Sequence, residues 1–167
     1  MAYVKYIHLL TLCVWVGGMI FFSFIGAPAI FKYLTRDIAG AVVGGIFPKY
    51  WMMGYVCSLL LIGTLLYIAK DNVSAFKVQL GILAVAATLS FISGMVIGAK
   101  AHDIKARAEA EQDGAKKEAL HKEFGRMHGV SAAMNAVVLL LMLGYVWYVP
   151  AVLKPTFTET VKDISGR

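Results

Sequence analysis

Four histidines, His8, His102, His121 and His128, are the side chains best able to hold a metal or move a proton in this chain. Their spacing matters more than their number. Seven residues is almost two helical turns, so His8 and Trp15 share one face. His121, His128 and Asn135 share another if one helix runs through all three. The stretch FGRMHGVSAAMN, residues 124–135, thus places an imidazole and, two turns deeper, an amide at the start of a long apolar run. Ionisable and amide groups at such positions are costly in a membrane and mark functional sites. His8, His128, Trp15 and Asn135 are the candidate cofactor-binding residues. His8, His128 and His102 are the candidate metal ligands, while His121 reads as solvated. Six thioethers near the inner ends of the spans (Met19, Met52, Met53, Met95, Met127, Met134) could complete a site. Imidazole with thioether suits haem iron or Cu(I), so haem b is the expected cofactor and copper the alternative.

The elements that must position these residues follow from composition. The chain has 167 residues, 59% of them hydrophobic, above the share of ordinary soluble domains. The apolar residues fall into four blocks of the length a helix needs to cross a bilayer. The spans are expected at about 3–25, 50–69, 76–99 and 128–149, forming one transmembrane domain over 1–150 with a polar tail at 151–167. The fold class is all-α, an integral-membrane antiparallel four-helix bundle. Pro28 should end the first helix. Thr35 and Asp37 should then start a short interfacial helix, carrying Ala39, Val42, Val43 and Ile46 at helical spacing and stopped by Pro48. A turn is expected at Lys70–Asn72. Residues 100–127 form a polar loop, in which 100–123 hold six acidic and six basic residues. Its alanine content predicts two solvated helical pieces broken at Asp113-Gly114.

Charge sets the expected orientation. The side carrying both termini holds Lys5, Lys70, Lys77, Lys154, Lys162 and Arg167. The other side holds the remaining ten of the 16 Lys and Arg residues. The positive-inside rule puts the larger loops in the cytoplasm and both termini outside, in a plasma or bacterial inner membrane. His8 and His128 then lie about 20 Å or more apart along the membrane normal, too far to share one metal. The net charge of +6 sits in short connections rather than on one soluble face, which argues against nucleic acid as a partner. The bilayer is the expected partner, with a second copy and a redox protein as further ones. Cys13 and Cys57 read as packed thiols within spans. Small residues should let the helices approach: Gly17 and Gly18, Gly54 and Gly63, Ser90, Gly94 and Gly98, and Ser131 with Ala132. No Ser/His/Asp arrangement, Walker loop or HExxH occurs, which argues against hydrolysis; no catalytic residue is assigned, and redox chemistry stays open.

IHLLTLCVWVGG, AGAVVGGIFPKYW and EFGRMHGVSAAMN, in that order, resemble motifs of the transmembrane-protein-205-like family, a four-span membrane domain of unknown function. The resemblance maps family motifs onto His8, Trp15, Gly17, Phe47, Pro48, Tyr50, Arg126, His128, Gly129, Ser131 and Asn135. The spacing of His8, Trp15, Gly17 and Gly18 is also similar to the first helix of copper-resistance D and HemJ-type membrane proteins, which implies a haem or metal ligand at His8. Three functions are expected to compete: a haem- or metal-binding bundle with a redox or metal-handling role; a transporter or export factor for small solutes or metal complexes, with Ser131 and Asn135 lining a cavity; and a non-catalytic scaffold or partner subunit.

Overall fold

Hydrocarbon offers backbone N–H and C=O groups no partner, so each crossing segment must satisfy its own, as a helix does. The apolar blocks accordingly form helices, and no strand occurs among the described residues. The computed structural model describes residues 1–154, apart from the Asp37 side chain. α1 is Ala2–Phe21, followed by a π-helical segment Phe22–Gly26 and α2, Ala27–Tyr33. α3 is Arg36–Ile68; a 3₁₀ turn, Val73–Phe76, leads into α4, Lys77–Phe91. A second π segment, Ile92–Gly98, joins α4 to α5, Ala99–Ala110, and α6 (Gly114–Val146) and α7 (Val149–Leu153) follow. Four continuous stretches are long and apolar enough to cross a bilayer: Ala2–Tyr33, Ile38–Ile68, Val73–Ala110 and Gly114–Val146. The protein is an integral membrane four-helix bundle, as its composition predicts.

The spans pack as a ring. α1 lies on α3, α3 on α4, α4 on α6, and α6 returns to α1. Leu12, Trp15, Met19, Leu61, Leu83 and Met142 are among the residues filling the centre. Leu59, Leu66 and Leu140 face outward, where lipid replaces water as their solvent. Lys5 Nζ donates to the Lys154 carbonyl at 2.8 Å, so the two described ends of the chain meet at one end of the bundle, here the terminal end.

At the opposite, hairpin end the helices outrun the membrane. α3 and α6 have 33 residues each. That is about 50 Å of rise against a hydrocarbon core of about 30 Å. Residues 100–127 are therefore no loop: they continue spans three and four as a helical pair, interrupted only between Ala110 and Gly114. The break falls where Asp113-Gly114 predicts it. Asp113 caps α6 by accepting from the amides of Ala115 and Lys116. Ala39, Val43, Ile104 and Ala108 are buried outside the main core and give this extension an apolar centre of its own. Its ion pairs, such as Lys105–Glu109 at 3.8 Å, are exposed and add little.

Two proline expectations fail for one reason. Thr35 does precede a helix, but that helix passes through Pro48 to Ile68, so there is no separate interfacial helix. Proline removes one hydrogen bond. Ending a helix at membrane depth would expose several groups, which is worse. Pro28 likewise does not end span one. The π segment shifts the ladder, so that the Ala27 amide reaches back to the Phe22 carbonyl, and Pro28 falls in the first turn of α2. Pro150 sits similarly in the first turn of α7, so residues 151–153 are helical; the rest of the expected tail lies outside the described residues. Of the two thiols, Cys57 is packed, but Cys13 is on the outer surface.

The small-residue stripe on span three receives rings rather than a neighbouring backbone. A Cβ at Gly98 would land inside the Trp51 indole, and one at Gly94 would overlap Trp51 and the Tyr55 phenol. A Cβ at Gly63 meets nothing. Gly98→Ala should therefore lower the melting temperature of the detergent-solubilised protein, a loss of about 1–3 kcal/mol from overpacking. Gly63→Ala should leave it unchanged or slightly raised. Equal melting of both variants would contradict this packing.

Candidate functional site

Polar side chains in the spans gather at two levels. At the terminal-end level, His8 is 1% exposed and both ring nitrogens are engaged. Nδ1 lies 2.7 Å from Thr64 Oγ1, and Nε2 lies 2.9 Å from the Tyr145 hydroxyl. The directions follow from bookkeeping. The Thr64 hydroxyl donates to the Leu60 carbonyl at 2.6 Å, so it can only accept from His8. Nδ1 therefore carries the proton, and Tyr145 donates to Nε2. One directed chain of hydrogen bonds runs from Tyr145 through His8 and Thr64 to the Leu60 carbonyl and ties α6 to α1 and α3.

The second level lies toward the hairpin end, around a cavity of about 370 Å³. The Tyr50 hydroxyl of α3 donates to Asn135 Oδ1 of α6 at 2.6 Å. Asn135 Nδ2 donates to Ser23 Oγ of the first π segment at 3.2 Å. Ser93, on the second π segment, shares a hydrogen bond of 2.9 Å with Ser131 of α6. All four spans are thus tied through hydroxyls and one amide, and all five of these residues line the cavity. Both π segments face it, in keeping with the frequent use of such distortions at functional sites. Phe22, Phe47 and Trp51 form aromatic walls, with Phe47 and Trp51 stacked at 5.3 Å between centroids. Met19 and Met134 add thioethers. Among the described residues no Asp, Glu, Lys or Arg lines it.

The sequence candidates separate accordingly. Trp15, His128 and Asn135 come together on the cavity wall. His128 lies edge-on to Phe47 at 5.9 Å and stacks on Phe124 at 6.3 Å. His8 is not part of that wall. It meets Tyr145, which lies 17 residues beyond His128 (145 − 128) on unbroken α6, about 26 Å of rise. His8 and His128 therefore cannot share a metal, as the sequence implied. His102 is exposed on α5. The three expected ligands do not converge, and no group of three or more His, Cys, Asp or Glu forms among the described residues. A ligand role for His8 would first require losing Thr64 or Tyr145. Thr64, Tyr145, Ser23 and Ser93 escaped the sequence reading. Each is a lone hydroxyl in an apolar span, and only its partner on another helix distinguishes it.

The His8 chain yields a stability prediction. Tyr145→Phe leaves Nε2 a buried acceptor without a donor, and Thr64→Val removes the acceptor of Nδ1–H. Each should cost about 0.5–2 kcal/mol in detergent unfolding. Adding His8→Phe to Tyr145→Phe should cost less than the sum of the singles, because the shared bond is already lost. Strict additivity would show that the pair is not coupled.

Comparison with known proteins places the chain in a family. The family model described as "Domain of unknown function (DUF4149)" matches residues 10–110, from α1 to the end of α5. An uncharacterized protein of Aquifex aeolicus (strain VF5) is 36% identical over 126 residues, covering 75% of this chain and 81% of its own. No solved structure matches. With more than half of its length matched, this four-span membrane protein belongs to the DUF4149 family of domains of unknown function.

Proposed function

We propose that the protein binds a small, lipid-soluble molecule inside the membrane and handles it as a carrier or export factor. The cavity supports this reading most directly. It lies within the half of the bundle nearer the hairpin end, has apolar and aromatic walls, and presents a few placed polar groups, the usual make-up of a small-molecule site. Ser131 and Asn135 line it, as a solute-handling bundle requires.

Haem or copper is the second reading, and one observation favours it: His128, Met19 and Met134 all line the cavity. There His128 with a thioether, not His8, would hold the metal. The resemblance of the first helix to copper-resistance D and HemJ-type proteins would instead point to His8, whose two ring nitrogens are already engaged. On either reading, the ten-to-six excess of Lys and Arg favours a cytoplasmic hairpin end with both termini outside.

Purified protein and an Ala132→Phe variant, which fills the cavity from α6, should be extracted into organic solvent and the extracts compared by mass spectrometry. The wild type should carry an apolar molecule at a near-stoichiometric level that the variant lacks at equal melting temperature. Identical extracts would contradict the proposal. A haem absorption band lost in His128→Ala, or bound copper found by elemental analysis, would decide for the second reading.

A further inference from the structure

The cavity's hydrogen-bonding groups are unevenly spent. Tyr50 has used its only proton on Asn135 Oδ1. Asn135 has used one amide hydrogen on Ser23 and keeps a second. Ser93 and Ser131 have two hydroxyl hydrogens between them and one shared bond. Ser90 is already committed to the Ala86 carbonyl. His128, exposed at the cavity edge, meets Phe47 and Phe124 through its ring, which leaves a ring N–H to offer. The unused donors all come from α6 or its partner on span three. In a low-dielectric space, unused donors call for acceptors. No charged side chain is there to balance a charged guest among the described residues, so the guest must be neutral. Aromatic rings, Phe22, Phe47 and Trp51, also line the cavity and favour a flat, unsaturated body.

We infer that the cavity takes a neutral, flat molecule whose ring carries carbonyl oxygens, that is, a compound of the quinone class. The carbonyls accept from Asn135, His128 and the Ser93–Ser131 pair while the ring lies along Phe47 and Trp51. The inference concerns binding and recognition. It rests on the cavity being a ligand site, and it adds the class of ligand.

The test uses a matched pair of probes. 2-Methyl-1,4-naphthoquinone has two carbonyl acceptors, and 2-methylnaphthalene has nearly the same shape with none. Binding of each to the full-length protein in nanodiscs is measured by equilibrium dialysis against empty nanodiscs of the same lipid. The quinone should bind at least about tenfold more tightly than the hydrocarbon, the equivalent of one or two hydrogen bonds. His128→Phe and Ser131→Ala should each reduce quinone binding severalfold and leave hydrocarbon binding unchanged. That unchanged binding also shows that the variants remain folded. Equal binding of the two probes would overturn the assignment of ligand class while leaving the cavity as an apolar site. Failure of the quinone to exceed empty nanodiscs would also overturn it. In either event the extraction experiment separately decides whether the cavity holds a ligand at all.

Discussion

The absence of any hydrogen-bond partner in hydrocarbon governs this structure. It makes each apolar block a helix and keeps the helices running through Pro28 and Pro48. It also draws the scarce polar side chains toward one another. A hydroxyl or amide facing lipid would be stranded, so Ser23, Tyr50, Asn135, Ser93 and Ser131 turn inward and meet across helices. Such bonds are individually modest. Together they fix which helix faces which, a task that apolar packing in an apolar solvent does poorly.

The two polar levels have different character. Around His8 every donor has an acceptor: the tyrosine, imidazole and threonine form one directed chain amid packed side chains. That arrangement suits a structural joint between α1, α3 and α6. Around Asn135 the network leaves donors over and borders open volume. A polar network with unspent groups is a poor way to stabilise a core but a reasonable way to recognise a guest. The π segments reinforce the contrast, since both lie at the cavity and neither at the His8 level.

Much of this was legible in the sequence, for identifiable reasons. The four blocks announce themselves by length and composition. Asp113 before Gly114 marks the one break in the polar stretch, and the seven-residue spacing put His128 and Asn135 on the face that lines the cavity. The proline readings failed because ending a helix in a membrane strands several backbone groups, whereas running through a proline strands one. The histidines proved to stand in different surroundings, His8 buried and bonded on both nitrogens, His128 and His102 exposed, because partners on other helices decide what an imidazole meets. Nothing local marks Thr64 as the acceptor for His8. Nor does anything local say that Gly94 and Gly98 make room for Trp51. Such pairings exist only once the spans are assembled.

The cavity exists only if the second π segment faces α6. Cysteines placed at Ser93 and Ser131, in a chain whose Cys13 and Cys57 are replaced by alanine, test that juxtaposition in native membranes. The serine oxygens are 2.9 Å apart, so a disulfide should form readily under mild oxidation and within a single chain. If the pair stays reduced, or links only between two chains, the helices do not meet as described and the cavity between them is lost.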